Sequence, residues 1–322
     1  MRISAVRRTV TVIALLVLTH LATGGVQAQE LSLRFATVAS EDSPYIDGIR
    51  KFKESVEARS GGAIEVSVSI GGLLGDERAI NEAILEGSIH LGIGANSLAE
   101  LAPIYNLVQV PFLVRGQDHM EKIADGPIGE EIANRIERQS GFRVLGWWST
   151  GDSPLETVEV PVHHPDDLKG VKIRIPEGLN QEIFNFIGAA PVNIPGSEVY
   201  TSLDRGVIDA TDWGTLGMNV DLGYHRIARY QIYPGFHSLP MGDVAVNMDR
   251  WNELSAVDQE LIQLCCKDAI IRGLTLGEVQ QGQALANMKE QGVEIHTWSP
   301  EIMAAYKAAT DQVLAEEATN DA

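Results

Sequence analysis

A strand–helix alternation runs through this 322-residue chain twice and limits the folds open to it. In the first pass, residues 31–37 and 63–70 have strand patterns and flank a segment at 44–60 with helical spacing of apolar residues. A short helix at 76–85 and an apolar strand at 89–93 are predicted next. The order β-α-β-α-β is typical of a layered α/β fold with a parallel sheet.

The second pass repeats this order in the middle of the chain. Strand patterns occupy residues 171–175, 190–194 and 207–210. Helices are predicted between them at 180–187 and 197–204, each ending at a glycine. The chain is therefore expected to build two α/β layers rather than one.

The two passes share a local motif, which is the reason to expect two lobes built alike. Residues 75–91 and 196–210 each contain a glycine, a helix cap, a glutamate, a short helix, a second glycine and an apolar strand. A chance echo is the alternative. In a parallel sheet, ligands bind beyond the carboxyl ends of the strands. The predicted binding edges are therefore Gly94–Ser97 in the first lobe and Thr211–Gly214 in the second.

The domain organisation follows from the absence of any flexible linker between the two passes. Without one, the chain is expected to cross between the lobes more than once. We expect lobe I to comprise residues 29–150 plus about 240–278 and lobe II to comprise residues 151–239 plus about 279–322. In lobe I, a single helix is predicted to carry Ile123 through Ile136.

The N-terminus has the pattern of a secretory signal peptide. Three arginines precede an apolar run at residues 10–18, and Val26-Gln27-Ala28 forms an A-x-A-like cleavage site. The run is short for a membrane span, although a retained anchor is the alternative. We expect cleavage after Ala28 and a periplasmic protein that begins at Gln29. No second long apolar run follows, so the mature chain is not expected to span a membrane.

Charge excludes two classes of partner. The chain has 25 Lys+Arg against 44 Asp+Glu, and its net charge of −19 becomes −22 without the arginines of the signal. A nucleic-acid binder needs a basic face to neutralise phosphates, and an anionic membrane surface makes the same demand. Neither nucleic acid nor membrane is therefore an expected partner.

Catalytic and metal motifs are not legible in the sequence. It contains no nucleophile elbow, zinc-protease helix, P-loop or complete dinucleotide fingerprint. His163-His164 precedes a turn and is interpreted as a solvated loop rather than a metal site. Cys265 and Cys266 are adjacent, which makes a poor disulfide, and are expected in or near the core.

A binding site has better support than a catalytic one. Arg174 stands within an apolar strand, and a guanidinium there needs either an internal carboxylate or a ligand carboxylate as its partner. The residues alone leave both possibilities open. Trp213 is either a core residue or the lip of a pocket. The aromatic segment Tyr230–Gly235, with Phe236 and His237, is either a β-bend or a further wall of that pocket.

Five segments make the chain resemble the extracytoplasmic solute receptors of tripartite ATP-independent periplasmic (TRAP) transporters. They occur in family order along essentially the whole mature chain, at residues 71–78, 110–113, 168–176, 198–209 and 292–295. The resemblance implies an α/β fold of the two-lobed periplasmic-binding-protein type (class II-like), with a ligand cleft between the lobes. It also implies a small organic acid as ligand, membrane permease subunits as partners and no enzymatic activity.

The resemblance assigns roles to particular residues. In this family, the arginine of the Lys-Ile-Arg-Ile-Pro strand binds the ligand carboxylate, and that residue is Arg174 here. Asp212 and Trp213 are similar to the positions used in the branch that binds 2-oxo or hydroxy acids, where some receptors hold the ligand through a cation. The resemblance therefore implies Na⁺ or Ca²⁺ at Asp212 and Trp213 as a possible cofactor.

Two positions depart from the family pattern. Ser153 stands where other members have Arg or Gln and is shorter, so Asp152 is a candidate oxygen donor in its place. Gly196 stands where the sialic-acid branch has an aromatic residue, which argues against that ligand. The expected ligand-binding set is Arg174, Trp213, Asp212, Ser153, Asp152, Asn96, Phe236 and His237. A sensory receptor for the same ligand and an exported enzyme acting on small acids are the alternative functions.

Overall fold

The structure is a computed structural model, and it describes residues 31–39, 41, 44–94, 101–111, 114, 117–149, 153–175, 178–237 and 241–320. The strands are β1 (Leu31–Ala36), β2 (Ile64–Ser69), β3 (Leu91–Gly94), β4 (Phe142–Ser149), β5 (Ser153–Thr157), β6 (Lys172–Arg174), β7 (Ala190–Val192), β8 (Ala210–Asp212), β9 (Tyr230–His237), β10 (Met241–Asn247) and β11 (Glu294–His296). The α-helices are α1 (Pro44–Arg59), α2 (Glu77–Leu85), α3 (Gln117–Ala124), α4 (Pro127–Ser140), α5 (Leu179–Ile187), α6 (Val199–Asp204), α7 (Leu216–Asp221), α8 (Met248–Asn252), α9 (Ala256–Glu290) and α10 (Pro300–Asn320).

The first sheet has the strand order β2-β1-β3-β10-β4. Strand β1 pairs parallel with β2 and β3, as the alternation predicts. Strand β10, however, is antiparallel to both of its neighbours, so the expectation of a purely parallel sheet is wrong. The reason is topological: β10 enters the first sheet directly from the end of β9 in the second, without a crossover helix to reverse its direction.

The second sheet has the order β11-β9-β5-β8-β6-β7 and is also mixed. Strand β6 is parallel to β7 and β8, whereas β5 is antiparallel to β8 and β9. The predicted strand at 207–210 is misplaced, because pairing begins at Ala210 and β8 ends at Asp212. Residues 207–209 instead form the turn after α6, where the Asp209 N–H donates to the Lys172 carbonyl at 2.8 Å.

Separate hydrophobic clusters cover the faces of the sheets. In the first sheet, α1 and α9 cover one face around Phe35 and Phe52, while α2 and α4 cover the other around Ile84 and Ile136. In the second sheet, α5 and α10 cover one face, with Phe184 and Tyr306 edge to face at 5.2 Å between ring centroids. Smaller clusters under α6 and α7 cover the opposite face. Cys265 and Cys266 are free and buried in the α1–α9 cluster, as expected.

In the described part of the chain, the order of the elements passes from one sheet to the other at three places. Strand β4 leads directly to β5, β9 leads directly to β10, and α9 extends from the first sheet to the second. Cys266 of α9 packs in the core of the first sheet, whereas Met288, near the other end of α9, packs with Leu216 on the second. The expectation of more than one crossing therefore agrees with the course of the chain.

Two other sequence predictions differ from the structure. The single helix predicted from Ile123 to Ile136 is two helices, because Gly126 caps α4 and Pro127 occupies its first turn. Proline lacks the N–H that a continuous helix would need there. The segment Tyr230–Gly235, predicted as a bend or a wall, belongs to β9. Within the described ranges, no helix is long and apolar enough for a membrane crossing.

Candidate functional site

Arg174 lies at the carboxyl end of β6, where two neighbouring chain segments hold its guanidinium. Its Nε donates to the Ile194 carbonyl at 3.2 Å, and its Nη1 donates to the Asp212 carbonyl at 3.0 Å. These bonds use two of the five guanidinium N–H groups and leave the Nη2 group available. The side chain is thus fixed in position by two of its donors, and none of the hydrogen bonds described here uses the Nη2 group.

The charge of Arg174 is not neutralised by a contact within the described part of the chain. No described carboxylate forms an ion pair with it, and its two partners are neutral carbonyls. Burial lowers the pKa of Arg174, and the more distant charges of Asp212 and Glu77 oppose that decrease. Of the two possibilities left open by the sequence, an internal ion pair is not found among the described residues, and the ligand-carboxylate possibility stays a prediction.

Glu77 is a buried acid of the other sheet that is electrostatically coupled to Arg174. It is the first residue of α2, which packs on the first sheet through Ile80 and Ile84, whereas Arg174 belongs to the second sheet. Burial raises the pKa of Glu77 to about 7, with Arg174 acting in the opposite direction. Sequence reasoning missed Glu77, although it follows the Asp76 cap within the motif shared by both passes.

Trp213 lies beside Arg174 and is half-buried. Its ring stacks on that of Tyr224, with centroids 5.5 Å apart and an interplanar angle of 8°. Tyr224 is almost fully buried and meets Tyr200 edge to face at 5.5 Å. Trp213 is therefore packed against the core on one face, and the rest of its side chain is partly exposed. Sequence reasoning did not assign Tyr224 a place beside Trp213.

Asp212 holds the Arg174 guanidinium through its backbone carbonyl. Because side chains alternate along a strand, Asp212 points to the same face of the sheet as Ala210, which carries the α5–α10 cluster. The Asp212 charge contributes to the raised pKa of Tyr306 on α10. Arg174 pairs with Thr211 and lies on the opposite face. The carbonyl of Asp212, at the end of β8, is the atom that reaches the guanidinium.

The remaining predicted residues are only partly described. Ser153 is buried at the start of β5, paired with His237 of β9. The backbone of Phe236 and His237 is strand, which places both positions at the carboxyl end of β9, and their side chains are outside the description. Asp152 and Asn96 lie outside the described residues.

The described donors do not assemble a complete cation site. The described residues contain no group of three or more His, Cys, Asp or Glu side chains that could hold a metal ion. His163-His164 forms a capping turn, in which the Asp167 carboxylate accepts from both backbone N–H groups at 2.9 and 2.8 Å.

A second buried acid, Glu156, lies in the row of side chains that contains Arg174. Thr211 pairs with Arg174 on one side and Glu156 on the other, and Glu156 pairs in turn with Gln231. Glu156 is 1% exposed, and burial raises its pKa to about 8 although the Gln231 and Asn219 side chains favour its charged form. Burial thus disfavours the charged form of this carboxyl, and no ion pair joins it to Arg174 in the described part of the chain.

Comparisons with known proteins agree with this geometry. Residues 35–321 match the family model of bacterial extracellular solute-binding protein, family 7 (DctP). The chain is 30% identical over 269 residues to the 2,3-diketo-L-gulonate-binding periplasmic protein of Escherichia coli, covering 83% of this chain and 81% of that protein. It is 32% identical over 186 residues to a monocarboxylate 2-oxoacid-binding periplasmic protein of Nostoc, covering 57% of this chain and 51% of that one.

A solved structure extends the agreement to three dimensions. A TRAP periplasmic solute-binding protein from Citrobacter koseri, determined with bound D-glucuronate, superimposes with a TM-score of 0.80 at 28% identity. The match covers 89% of this chain and 94% of that one. These similar proteins are solute-binding proteins rather than enzymes, and proteins of this family are periplasmic. The chain therefore belongs to the DctP family of extracellular solute-binding proteins, the receptor components of TRAP transporters.

Proposed function

We propose that this receptor captures a small organic monocarboxylate (a 2-oxo, 2-hydroxy or sugar acid) through a salt bridge to Arg174. It then delivers the acid to the membrane permease subunits of a TRAP transporter. The observation that carries the proposal is the guanidinium itself, which is held by two backbone carbonyls without a described carboxylate in contact. A group fixed in this way is already oriented for a charge-assisted, two-point contact with a carboxylate.

Electrostatics explains why a buried arginine is needed. With a net charge of −22 after removal of the signal, the protein repels anions at long range. The attraction must therefore come from a local cation where solvent is excluded and the interaction is less screened. Arg174 is suited to this role because burial disfavours its charged form. An incoming carboxylate would stabilise that charged form.

The ligands named for similar proteins support the choice of an acid. Three of the relatives bind 2,3-diketo-L-gulonate, 2-oxo monocarboxylates and D-glucuronate, each with one carboxylate, and another binds C4-dicarboxylates. A carboxylate is common to these ligands, which fits a fixed guanidinium. The first is also both a sugar acid and a 2-oxo acid, so these two classes overlap at one site.

The rest of the binding arrangement belongs to the same proposal. Trp213, Phe236, His237, Ser153, Asp152 and Asn96 would line the cleft around Arg174. Lobe I would comprise residues 29–150 plus about 240–278, and lobe II residues 151–239 plus about 279–322. The receptor would reach the periplasm by export and cleavage after Ala28, and closure of the lobes around the acid would create the surface presented to the permease.

A thermal-shift screen of the exported protein tests this function. Panels of 2-oxo, 2-hydroxy and sugar acids are compared with the corresponding alcohols and amides at one pH and salt concentration. We expect at least one acid to raise the Tm by several degrees, because binding to the folded state alone stabilises it by mass action. The uncharged analogues should have no effect. A protein indifferent to every acid, or equally stabilised by the analogues, would contradict the proposal.

A further inference from the structure

Helix α9 lacks a side chain at one position on its inward face. Cys266 and Ala269 of this helix are buried in the cluster that α1 and α9 form on the first sheet, and Gly273 follows Ala269 by four residues. Residues four apart lie on the same face of a helix, so a side chain at position 273 would also point inward. Gly273 has no left-handed φ, and backbone conformation therefore does not explain the glycine.

No protein atom fills the space that a side chain at position 273 would occupy. A Cβ built on Gly273 meets no other atom within 4 Å. One turn away the packing is tight, because a Cβ built on Gly48 of α1 would lie 2.8 Å from the Ala269 carbonyl oxygen. The open space thus begins directly beside a close crossing of the two helices.

A cavity of about 50 Å³ lies at this place, between α1, α9 and the first sheet. Its wall contains Gly48 and Gly273 at the helix crossing and the aromatic rings of Phe35, Phe52 and Trp148. Most of the other side chains on the wall are aliphatic. Protein interiors are close-packed and contain few voids larger than a water molecule, so a cavity of this size is a distinct feature of the first half of the molecule.

The wall of this cavity offers few hydrogen-bonding groups. The polar side chains on it are those of Tyr45, Trp148, Ser149 and Cys266. The Trp148 Nε1 already donates to the Asp243 carbonyl at 3.2 Å, and a thiol is only a weak donor and acceptor. Water is stable in a cavity where it finds several polar partners, whereas cavities lined by apolar side chains stay dry. The wall therefore favours an apolar occupant over water.

We propose that this cavity, the α1–α9 cavity, is a second binding site, separate from Arg174, and that it takes a small uncharged apolar molecule. An apolar cavity of about 150 Å³ binds benzene or xenon, and the α1–α9 cavity has about a third of that volume. An occupant of the size of xenon or a short hydrocarbon fits it. The aromatic rings and the Cys266 sulfur are polarisable, so dispersion attracts such an occupant.

The chemistry of the wall separates this site from the one at Arg174. A carboxylate or a sugar would lose its hydrogen bonds with water in the α1–α9 cavity and find few replacements, so an organic acid is not its ligand. The inference therefore stands independently of the proposed function. The cavity also touches two of the connections between the sheets, because Trp148 and Ser149 end β4 and Gly273 belongs to α9.

Xenon binding to the mature chain tests the inference, measured by xenon NMR spectroscopy in solution and by crystals pressurised with xenon. We expect the wild type to shift the xenon resonance in proportion to protein concentration and to hold xenon in the α1–α9 cavity in the crystal. Gly273→Val places a branched side chain in the cavity and should abolish both signals. Gly273→Ala adds a single methyl group and should weaken them.

Gly282→Val is the matched control. It makes the same change at a glycine of α9 whose built Cβ also meets no atom within 4 Å, but on the exposed face of the helix. This variant should bind xenon as the wild type does. Arg174→Ala should do so as well, although the proposed function predicts that it loses affinity for the acid.

The outcomes separate the two proposals. A wild type that does not bind xenon in the cavity, or that holds ordered water there under xenon pressure, would overturn the inference and leave the function of Arg174 intact. Wild-type binding in Gly273→Val, or an equal loss in both valine variants, would also overturn it. If Gly273→Val does not fold, the same comparison is made between Gly273→Ala and Gly282→Ala. Loss confined to the variants at position 273 supports the inference, whether or not any acid binds.

Discussion

At the residue scale, the guanidinium of Arg174 is held by carbonyl dipoles rather than by an opposite charge. Its bonds to Ile194 and Asp212 orient the group without cancelling it. A buried ion pair would have neutralised the guanidinium and weakened its attraction for a ligand carboxylate. The arrangement therefore orients the guanidinium without a described carboxylate in contact with it.

Glu156 gives a pH-dependent prediction at the same scale. Burial raises its pKa from 4.5 to about 8 in the folded protein, so between these values the folded state keeps a proton that the unfolded chain has lost. Stability must therefore fall as the pH rises across this window, by up to about 1.4 kcal/mol per pH unit. Glu156→Gln removes this titrating carboxyl. We therefore expect the free energy of unfolding of the variant to depend less on pH between pH 5 and 8.

Urea unfolding of both proteins at half-unit pH steps measures the difference. The exposed Glu159→Gln variant is the control, because it removes a carboxylate without removing a buried one. A Glu156→Gln variant whose stability falls with pH as steeply as that of the wild type would contradict the prediction.

Sequence patterns identified Arg174 and Trp213 as notable residues but could not place their neighbours. The direction of the Asp212 side chain depends on which residue begins β8, and the predicted strand began three residues too early. Glu77 and Tyr224 are brought to the site by tertiary packing alone. Whether a guanidinium has an internal partner is likewise a property of the folded chain, so the sequence left that question open.

At the element scale, helices were more predictable than strands. Helical spacing and capping residues placed α1, α2, α5 and α6 within a few residues of their observed bounds. Strands β5, β9 and β10 were missed, because short segments containing proline and glycine lack a clear period-2 pattern. These segments become strands because they pair with neighbouring strands, which local sequence does not show.

The packing of α1 against α9 gives a prediction from two glycines. A Cβ on Gly48 would lie 2.8 Å from the Ala269 carbonyl oxygen, whereas one on Gly273 would have no atom within 4 Å. Gly48→Ala must push the helices apart, and we expect a loss of about 1–3 kcal/mol. Gly273→Ala improves helix propensity in open space, so a gain of about 1 kcal/mol is expected.

Chemical denaturation of the two variants beside the wild type decides this point. The substitutions are chemically identical and lie on facing helices, so each serves as the control for the other. Equal changes in the free energy of unfolding would show that close helix contact does not explain Gly48.

At the scale of the whole molecule, the sequence predicted two α/β units and more than one crossing between them. It did not predict that both sheets are mixed, because strand direction depends on the short connections β4–β5 and β9–β10. Those connections and α9 join the two halves. Such a molecule is suited to closing around a small anion without a flexible linker.

The most direct measurement is calorimetry of Arg174→Ala with the acid that gives the largest thermal shift. Lys172→Ala, which removes an exposed positive charge from the same strand, is the control for net charge. We expect Arg174→Ala to lose at least about 100-fold in affinity, since the desolvated carboxylate is left without its partner. Lys172→Ala should bind within a few-fold of the wild type. If Arg174→Ala retains wild-type affinity, or both variants lose affinity equally, the ligand carboxylate is not bound by Arg174.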